Sequence, residues 1–328
     1  MILDGTQTSA ITQAADTLAA GQLIGLPTET VYGLAAYAGD DAAVRRIFSA
    51  KGRPADHPLI VHVASAAQVG AFAASVPAVA QRLMDAFWPG PLTLILPRRA
   101  GVAEAAAGGH PSVGLRCPAH PVAQALLAEC AARGMAGLAA PSANRFGRVS
   151  PTTAQHVADE LGDALLVLDG GACAVGIESS IIDCTRAQPV LLRPGQLPRA
   201  EIERVAGQRL LDKDAAPGPT PQAPGTLAAH YAPRAKLRLM DAKMLQTALD
   251  VLGAEAKHIA LWTRTPVKTA APLPQRRMPD DAAACAQQLF AVLRGFDDAG
   301  AKLIWVETPP DDPAWDGVRD RLARAAAS

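Results

Sequence analysis

Apolar residues recur at helical spacing over residues 8–20, where Ile11, Ala14, Ala15 and Leu18 share one face and Gly21 follows as a stop. The period then shortens to that of buried strands. Leu23-Ile24-Gly25-Leu26 is one such run, and residues 59–63, 92–96, 112–117, 165–168 and 180–183 are others. Between them the spacing predicts a helix capped by Asp40, carrying Val44, Ile47 and Phe48 toward Lys51 and ending near Gly52 and Pro54. Further helices are expected over residues 120–133 and, from a Thr152 or Thr153 cap, through Val157 and Leu161. Strands alternating with helices predict an α/β layer structure, with chemistry at strand ends and loops.

Regular patterning stops between residues 212 and 224, where Pro217, Pro219, Pro221 and Pro224 interrupt it. Past this stretch, strands are expected over residues 236–240, 258–263 and 302–306, and helices over 241–252, 280–299 and 316–327. The chain reads as a larger α/β domain over 1–211, a Pro-rich linker over 212–234 and a smaller Rossmann-like α/β domain over 235–328.

Composition narrows the function classes. Lys and Arg number 31 and so do Asp and Glu, so no overall field draws the protein to nucleic acid or an anionic membrane. No apolar run reaches about 18 residues, the length a membrane span needs. The N-terminus lacks signal-peptide order, with Asp4 and Thr6 where an apolar stretch would begin. Five scattered cysteines without C-x-x-C spacing fit a reducing compartment. A soluble cytoplasmic protein without stable nucleic-acid or membrane binding is the expectation. The histidines show no metal-ligand spacing, so no protein-held metal is expected. Neither G-x-G-x-x-G, a P-loop nor a G-x-S-x-G elbow occurs.

Folding does not require the cations and hydroxyls that recur among Gly and Pro. They form Pro27-Thr28-Glu29-Thr30-Val31-Tyr32-Gly33-Leu34, Lys51-Gly52-Arg53-Pro54, Gly114-Leu115-Arg116, Pro141-Ser142-Ala143-Asn144, Glu178-Ser179-Ser180 and Leu192-Arg193-Pro194-Gly195. Lys51 and Arg53 flank a glycine, so an ammonium and a forked guanidinium reach one place, as phosphates require. The same pair also suits a solvated helix end. Arg116 and Arg193 fall in apolar, strand-like runs, where an unpaired charge is costly. Ser142 and Asn144 serve either a turn or a ligand, and the hydroxyls of Ser179 and Ser180 either the core or a ligand. His62, alternating with Val61 and Val63, faces either a polar cleft or a satisfied core position.

In this order the motifs resemble the threonylcarbamoyl-AMP synthase family, the YrdC-like proteins, in its longer two-domain form. The likeness runs from about residue 10 to residue 235 and includes His57-Pro58-Leu59-Ile60 and His230-Tyr231-Ala232-Pro233. It implies a YrdC-like twisted open sheet with helices and a basic cleft. It also implies synthesis of L-threonylcarbamoyl adenylate and pyrophosphate from L-threonine, bicarbonate and ATP. That product serves tRNA N6-threonylcarbamoyladenosine formation, with downstream tRNA threonylcarbamoyl-transfer proteins as partners. By position, Thr30, His62, Arg116, Ala140 and Ser179 match threonine contacts. Arg53, His57, Ser112, Ser142, Asn144, Ser150, Arg193 and Tyr231 match the nucleotide side, Lys51 and Arg53 are the expected catalytic pair, and magnesium is expected with ATP. The linker is expected to cover the nucleotide site. The chain departs from the family at Thr226-Leu227-Ala228-Ala229, where a basic residue and an aromatic are common, and its C-terminal domain matches weakly. Competing readings are a carbamoyl-group transferase with another acceptor and an RNA-binding or ribosome-associated module.

Overall fold

The computed structural model describes residues 1–218, 220–270 and 272–328, so Pro219 of the expected linker lies outside the described residues. The chain divides into two compact units, one of Met1–Phe146 with Ser150–Thr226, the other of Gly147–Val149 with Leu227–Ser328. The division falls at Thr226, inside the stretch read as linker. The first part of that stretch belongs to the larger unit, and His230 and Tyr231 belong to the smaller.

Eleven strands, among the described residues, form the sheet of the larger unit. They are β1 (Ile2–Asp4), β2 (Ile24–Leu26), β3 (Gly33–Tyr37), β4 (Ile60–His62), β5 (Leu92–Pro97), β6 (Ser112–Arg116), β7 (Leu138–Ala139), β8 (Leu166–Asp169), β9 (Ser180–Asp183), β10 (Val190–Arg193) and β11 (Leu211–Asp212). Their order is β1-β8-β2-β3-β7-β4-β6-β5-β9-β10-β11, with parallel and antiparallel pairs mixed. Its helices are α1 (Thr8–Ala19), α2 (Asp41–Lys51), α3 (Ala78–Phe87), α4 (Pro121–Ala132), α5 (Ala154–Leu161) and α6 (Arg199–Ala206). Asp40 caps α2 by accepting from the backbone of Ala42 and Ala43, and Gly52 ends it in the left-handed region at φ 61°. Of the two candidate caps of α5, Thr153 fills the role, accepting from the His156 amide. β3 escapes a period-two reading because its first four residues are buried on both faces.

Alternation along the middle strands separates packing from chemistry. Val61, Leu94, Leu96, Leu115 and Ile182 enter a core shared with Val44 and Ile47 of α2, Leu83 of α3 and Ile202 of α6. A second core joins α1 and α4 to β2 and β8 through Leu18, Leu26, Leu126 and Leu168. Ile60, Ile95 and Ile181 turn to the other face, clustered with Val190 and Leu192 and packed by Leu211, Ala216 and Ala223. His62, Thr93 and Ser179 each lie two residues from one of these isoleucines, which puts them on this same face. Gly114 keeps the face shallow, since a Cβ there would touch Ile95, Ile60 and Thr93.

Among the described residues the smaller unit has four parallel strands, β12 (Lys236–Met240), β13 (Ile259–Thr263), β14 (Gln275–Arg277) and β15 (Leu303–Glu307), in the order β12-β15-β13-β14. Helices α7 (Ala242–Leu252), α8 (Ala282–Asp298) and α9 (Asp316–Ala326) complete the Rossmann-like layering. β14 was invisible to apolar patterning because Gln275, Arg276 and Arg277 are all exposed. Among the described residues no helix is long and apolar enough to cross a membrane.

Candidate active site

Parallel pairing of β4 with β6 sets His62 directly beside Arg116. Arg116 is buried, and its guanidinium is held on three sides. Nε donates to the Gly90 carbonyl at 3.3 Å, Nη1 donates to Thr30 Oγ1 at 2.7 Å, and Nη2 lies 2.6 Å from Glu29 Oε1. The Pro27–Thr30 turn is fastened to itself first, with Thr28 Oγ1 donating to the Val31 carbonyl at 2.6 Å and lying 2.9 Å from Thr30 Oγ1. On the β9 side, Ser179 Oγ lies 2.8 Å from Thr93 Oγ1. The next amide, Ser180, donates to Pro91 at 3.1 Å, one residue from the carbonyl that holds Arg116. Ala140 joins from β7's end, its amide donating to Ile60 at 3.0 Å. The structure thus ties together all five residues matched to threonine. Burial first, then the Arg116 charge, push the His62 imidazole down to about 3, so the ring is neutral. Its buried Nδ1 has no hydrogen-bond partner among the described residues.

The left-handed turn at Gly52 sends Lys51 and Arg53 inward, leaving them 3% and 9% exposed. A solvated helix end is therefore excluded. The Lys51 ammonium donates to the carbonyls of Ser142, at 2.5 Å, and of Asn144. Burial foremost, then the Arg53 charge, bring its pKa down to about 7, opposed by Glu160 and Glu178. Arg53 Nη2 donates to Pro58 at 3.0 Å, and its guanidinium sits 5.6 Å from the Phe146 ring, which His57 meets edge-on at 5.5 Å. Burial and then Arg53 lower the His57 pKa as well. Asn144 Nδ2 donates to the Arg145 carbonyl at 2.7 Å, which shapes the loop. Ser150 Oγ donates to Glu178 Oε1 at 2.5 Å. Arg193 donates from Nε and Nη2 to the Ser179 carbonyl at 3.1 and 2.9 Å, and from Nη1 to Pro224 at 2.8 Å. Glu178 and Ser179 are therefore the seam: the first meets Ser150 and acts on Lys51, the second meets Thr93 and Arg193.

Ser112 and Tyr231 are the remaining residues expected on the nucleotide side. Ser112 opens β6, four residues before Arg116, and lines a cavity of about 390 Å³ with His110, Arg186, Thr220 and Pro221. Tyr231 lies in the smaller unit with φ 62°, its ring 5.6 Å from Phe290 and 5.3 Å from the Arg321 guanidinium.

In the sequence Glu29 and Glu178 stand only as parts of motifs, and Thr93 and Phe146 belong to none of them. Thr93 had a signal, a hydroxyl in an otherwise apolar strand run. Gly195 also acquires a reason, since a Cβ there would fall 2.4 Å from the Ser180 nitrogen and 2.8 Å from the Ser179 carbonyl carbon. Among the described residues no group of three or more His, Cys, Asp or Glu is placed to hold a metal ion.

Known proteins carry the same two parts. The sequence profile of the Sua5/YciO/YrdC family, described as telomere recombination, matches residues 16–195, and that of the threonylcarbamoyl-AMP synthase C-terminal domain matches residues 197–327. A threonylcarbamoyl-AMP synthase of Pyrococcus abyssi is 39% identical over 320 residues, covering 95% of this chain and 93% of its own length. One from Bacillus subtilis is 36% identical over 324 residues, covering 96% and 92%. The solved structure of P. abyssi Sua5 complexed with L-threonine superposes with a TM-score of 0.87 at 38% identity, covering 96% of this chain and 94% of that one. Shared architecture and identity along nearly the whole length place this chain in the Sua5/YciO/YrdC family, in the form that carries the threonylcarbamoyl-AMP synthase C-terminal domain.

Proposed function

We propose that this chain condenses L-threonine, bicarbonate and ATP into L-threonylcarbamoyl adenylate with release of pyrophosphate. The product supplies the threonylcarbamoyl group of tRNA N6-threonylcarbamoyladenosine through separate transfer proteins, in the cytoplasm. The observation that carries this reading is the hydrogen-bonded path from Thr30 through Arg116 and Gly90-Pro91 to Ser179 and Arg193, beside buried Lys51 and Arg53. Relatives named threonylcarbamoyl-AMP synthase match this chain nearly end to end, and one was solved with L-threonine.

In this reading Thr30, His62, Arg116, Ala140 and Ser179 receive threonine. Arg53, His57, Ser112, Ser142, Asn144, Ser150, Arg193 and Tyr231 serve ATP. The carboxylate of N-carboxythreonine attacks the α-phosphorus in line with departing pyrophosphate, so rate comes from alignment and from cations facing the phosphoryl oxygens. A protonated Lys51 has three N–H donors. Two already go to the Ser142 and Asn144 carbonyls, which aims the third and holds the S-x-N loop against the nucleotide. Magnesium fits as an ion arriving on the ATP phosphates, given the lack of a metal-holding group among the described residues, and would neutralise phosphate charge there. The linker shelters the labile adenylate, and the Arg193 bond to Pro224 supports that role.

The test is incubation of the purified protein with ATP, radiolabelled bicarbonate and single amino acids. Labelled adenylate and pyrophosphate should form with threonine, to a lesser degree with serine, and scarcely with valine. A site built around a hydroxyl rejects the analogue lacking it far more strongly than one differing by a methyl, which is worth about 1–3 kcal/mol. A salt-dependent RNA shift without ATP turnover would replace this reading with RNA binding.

A further inference from the structure

We infer that Glu29 is the receptor for the ammonium group of the bound amino acid, and that the Glu29–Arg116 pair is the closed form of a site that a zwitterion opens. This deepens the functional reading above and rests on it. Glu29 is 9% exposed, and Arg116 Nη2 approaches its Oε1 to 2.6 Å. Neither carboxylate oxygen nor Nη2 makes an aligned hydrogen bond among the described residues. Buried carboxylates ordinarily fill their lone pairs with donors, because an ionised group taken from water without them is strongly disfavoured. Among the described residues Glu29 has one cation, at one oxygen.

Arg116 is differently placed. Its Nε and Nη1 are committed to Gly90 and Thr30, which fixes the guanidinium plane and leaves Nη2 as the corner that can change partner. The other groups gathered here, Thr28, Thr30, Thr93, Ser179 and neutral His62, carry no charge. Glu178 is engaged by Ser150 and acts on Lys51. Within this group Glu29 is therefore the anion that can neutralise an ammonium, and Arg116 the cation that can neutralise a carboxylate. An α-amino acid brings both complementary charges a few ångströms apart. On entry its carboxylate takes Nη2 and its ammonium takes Glu29, so each buried charge exchanges one partner for another and none is left alone. The ligand class is a small α-amino acid in its zwitterionic form.

The test compares L-threonine with 3-hydroxybutanoate, which keeps the carboxylate and hydroxyl but lacks the ammonium, by calorimetric titration into the full chain. Unaltered protein should bind threonine at least about tenfold tighter. Glu29→Gln should weaken threonine by roughly tenfold while 3-hydroxybutanoate binds equally or more tightly, because Arg116 has lost its internal competitor. In turnover the KM for threonine should rise and the KM for ATP stay within about twofold. Glu29→Asp, retaining the charge, should keep part of the preference for threonine. Equal weakening of both ligands in Glu29→Gln means that Glu29 only orients Arg116, and overturns the inference. If that variant does not fold, equal affinity of the unaltered protein for the two ligands overturns it, and a preference of tenfold or more upholds it. Adenylate synthesis by Glu29→Gln with an unchanged threonine KM overturns this inference alone. Absence of threonine binding by the unaltered protein overturns the functional reading as well.

Discussion

Lys51 should take up a proton when ATP binds. In the free protein, burial and the neighbouring Arg53 charge bring its pKa from 10.5 to about 7. Near pH 8 about one-tenth of the Lys51 side chains then carry a proton. A triphosphate beside the amine supplies the missing counter-charge, and a rise of about two pKa units makes roughly nine-tenths of them charged. Binding near pH 8 thus draws in about 0.8 proton per site. Titration with a non-hydrolysable ATP analogue, in two buffers of different ionisation enthalpy, measures this directly. The uptake should shrink toward zero near pH 6, where Lys51 is already protonated, and disappear in Lys51→Met. Linkage gives a second sign. The folded pKa is lowered, so between about pH 7 and 10.5 the unfolded chain holds a proton the folded chain does not, and stability relative to Lys51→Met should rise with pH across that window. Equal enthalpies in the two buffers, or uptake that persists in Lys51→Met, would refute a role for Lys51 beside the phosphates.

Substitutions at three further positions probe the amino-acid side. Arg116→Lys removes the planar fork that holds Gly90 and Thr30, and should weaken threonine binding more than ATP binding in parallel titrations; ATP affinity falling first contradicts the assignment. Gly195→Ala puts a Cβ 2.4 Å from the Ser180 nitrogen, backbone that cannot swing aside, so the threonine KM should rise and the thermal midpoint fall; normal values for both would show that the Ser179 segment yields freely. Thr93→Val removes the hydroxyl 2.8 Å from Ser179 Oγ and should raise the threonine KM about fivefold at nearly unchanged kcat, with Thr93→Ser restoring it. Equal defects in both Thr93 variants would point to packing instead.

Local signals reached the elements and the motifs. The Asp40 cap, the apolar stripe of α2 and the Gly52 stop can all be read within a dozen residues, and they deliver Lys51 and Arg53 where expected. What lies between motifs could not be read that way. That His62 stands beside Arg116 depends on the parallel register of β4 and β6, and nothing in either segment states its partner. Thr93 reads as one polar residue in an apolar strand until β9 pairs with β5 and brings Ser179 against it. From its neighbours alone Lys51 reads as either a phosphate ligand or a solvated helix end, whereas its buried ammonium holds the loop of Ser142 and Asn144, a contact set by where the strands end. Ser112 is grouped with the nucleotide residues by motif position alone, and the structure adds its place at the other end of β6 from Arg116, beside a cavity it lines with His110 and Arg186.

Charge sets what kind of ligand this network suits. Lys51, Arg53, Arg116 and Arg193 are 3%, 9%, 4% and 2% exposed, against two carboxylates of the same network, Glu29 and Glu178, at 9% and 7%. Among the described residues of this network the four cations stand with two carboxylates, and the low pKa of Lys51 tempers the positive charge gathered there. Gathering buried charges of one sign is costly unless polar groups or a ligand answer them. Carbonyl oxygens at Pro58, Gly90, Ser142, Asn144, Ser179 and Pro224 accept from these cations and make the arrangement tolerable, but they supply dipoles and no net negative charge. A ligand set with more negative than positive charge would complement this cluster. A triphosphate beside an amino acid that has gained a second carboxylate would meet that requirement. A neutral small molecule does not, and an extended polyanion such as RNA would need its cations on the surface, where these four are not.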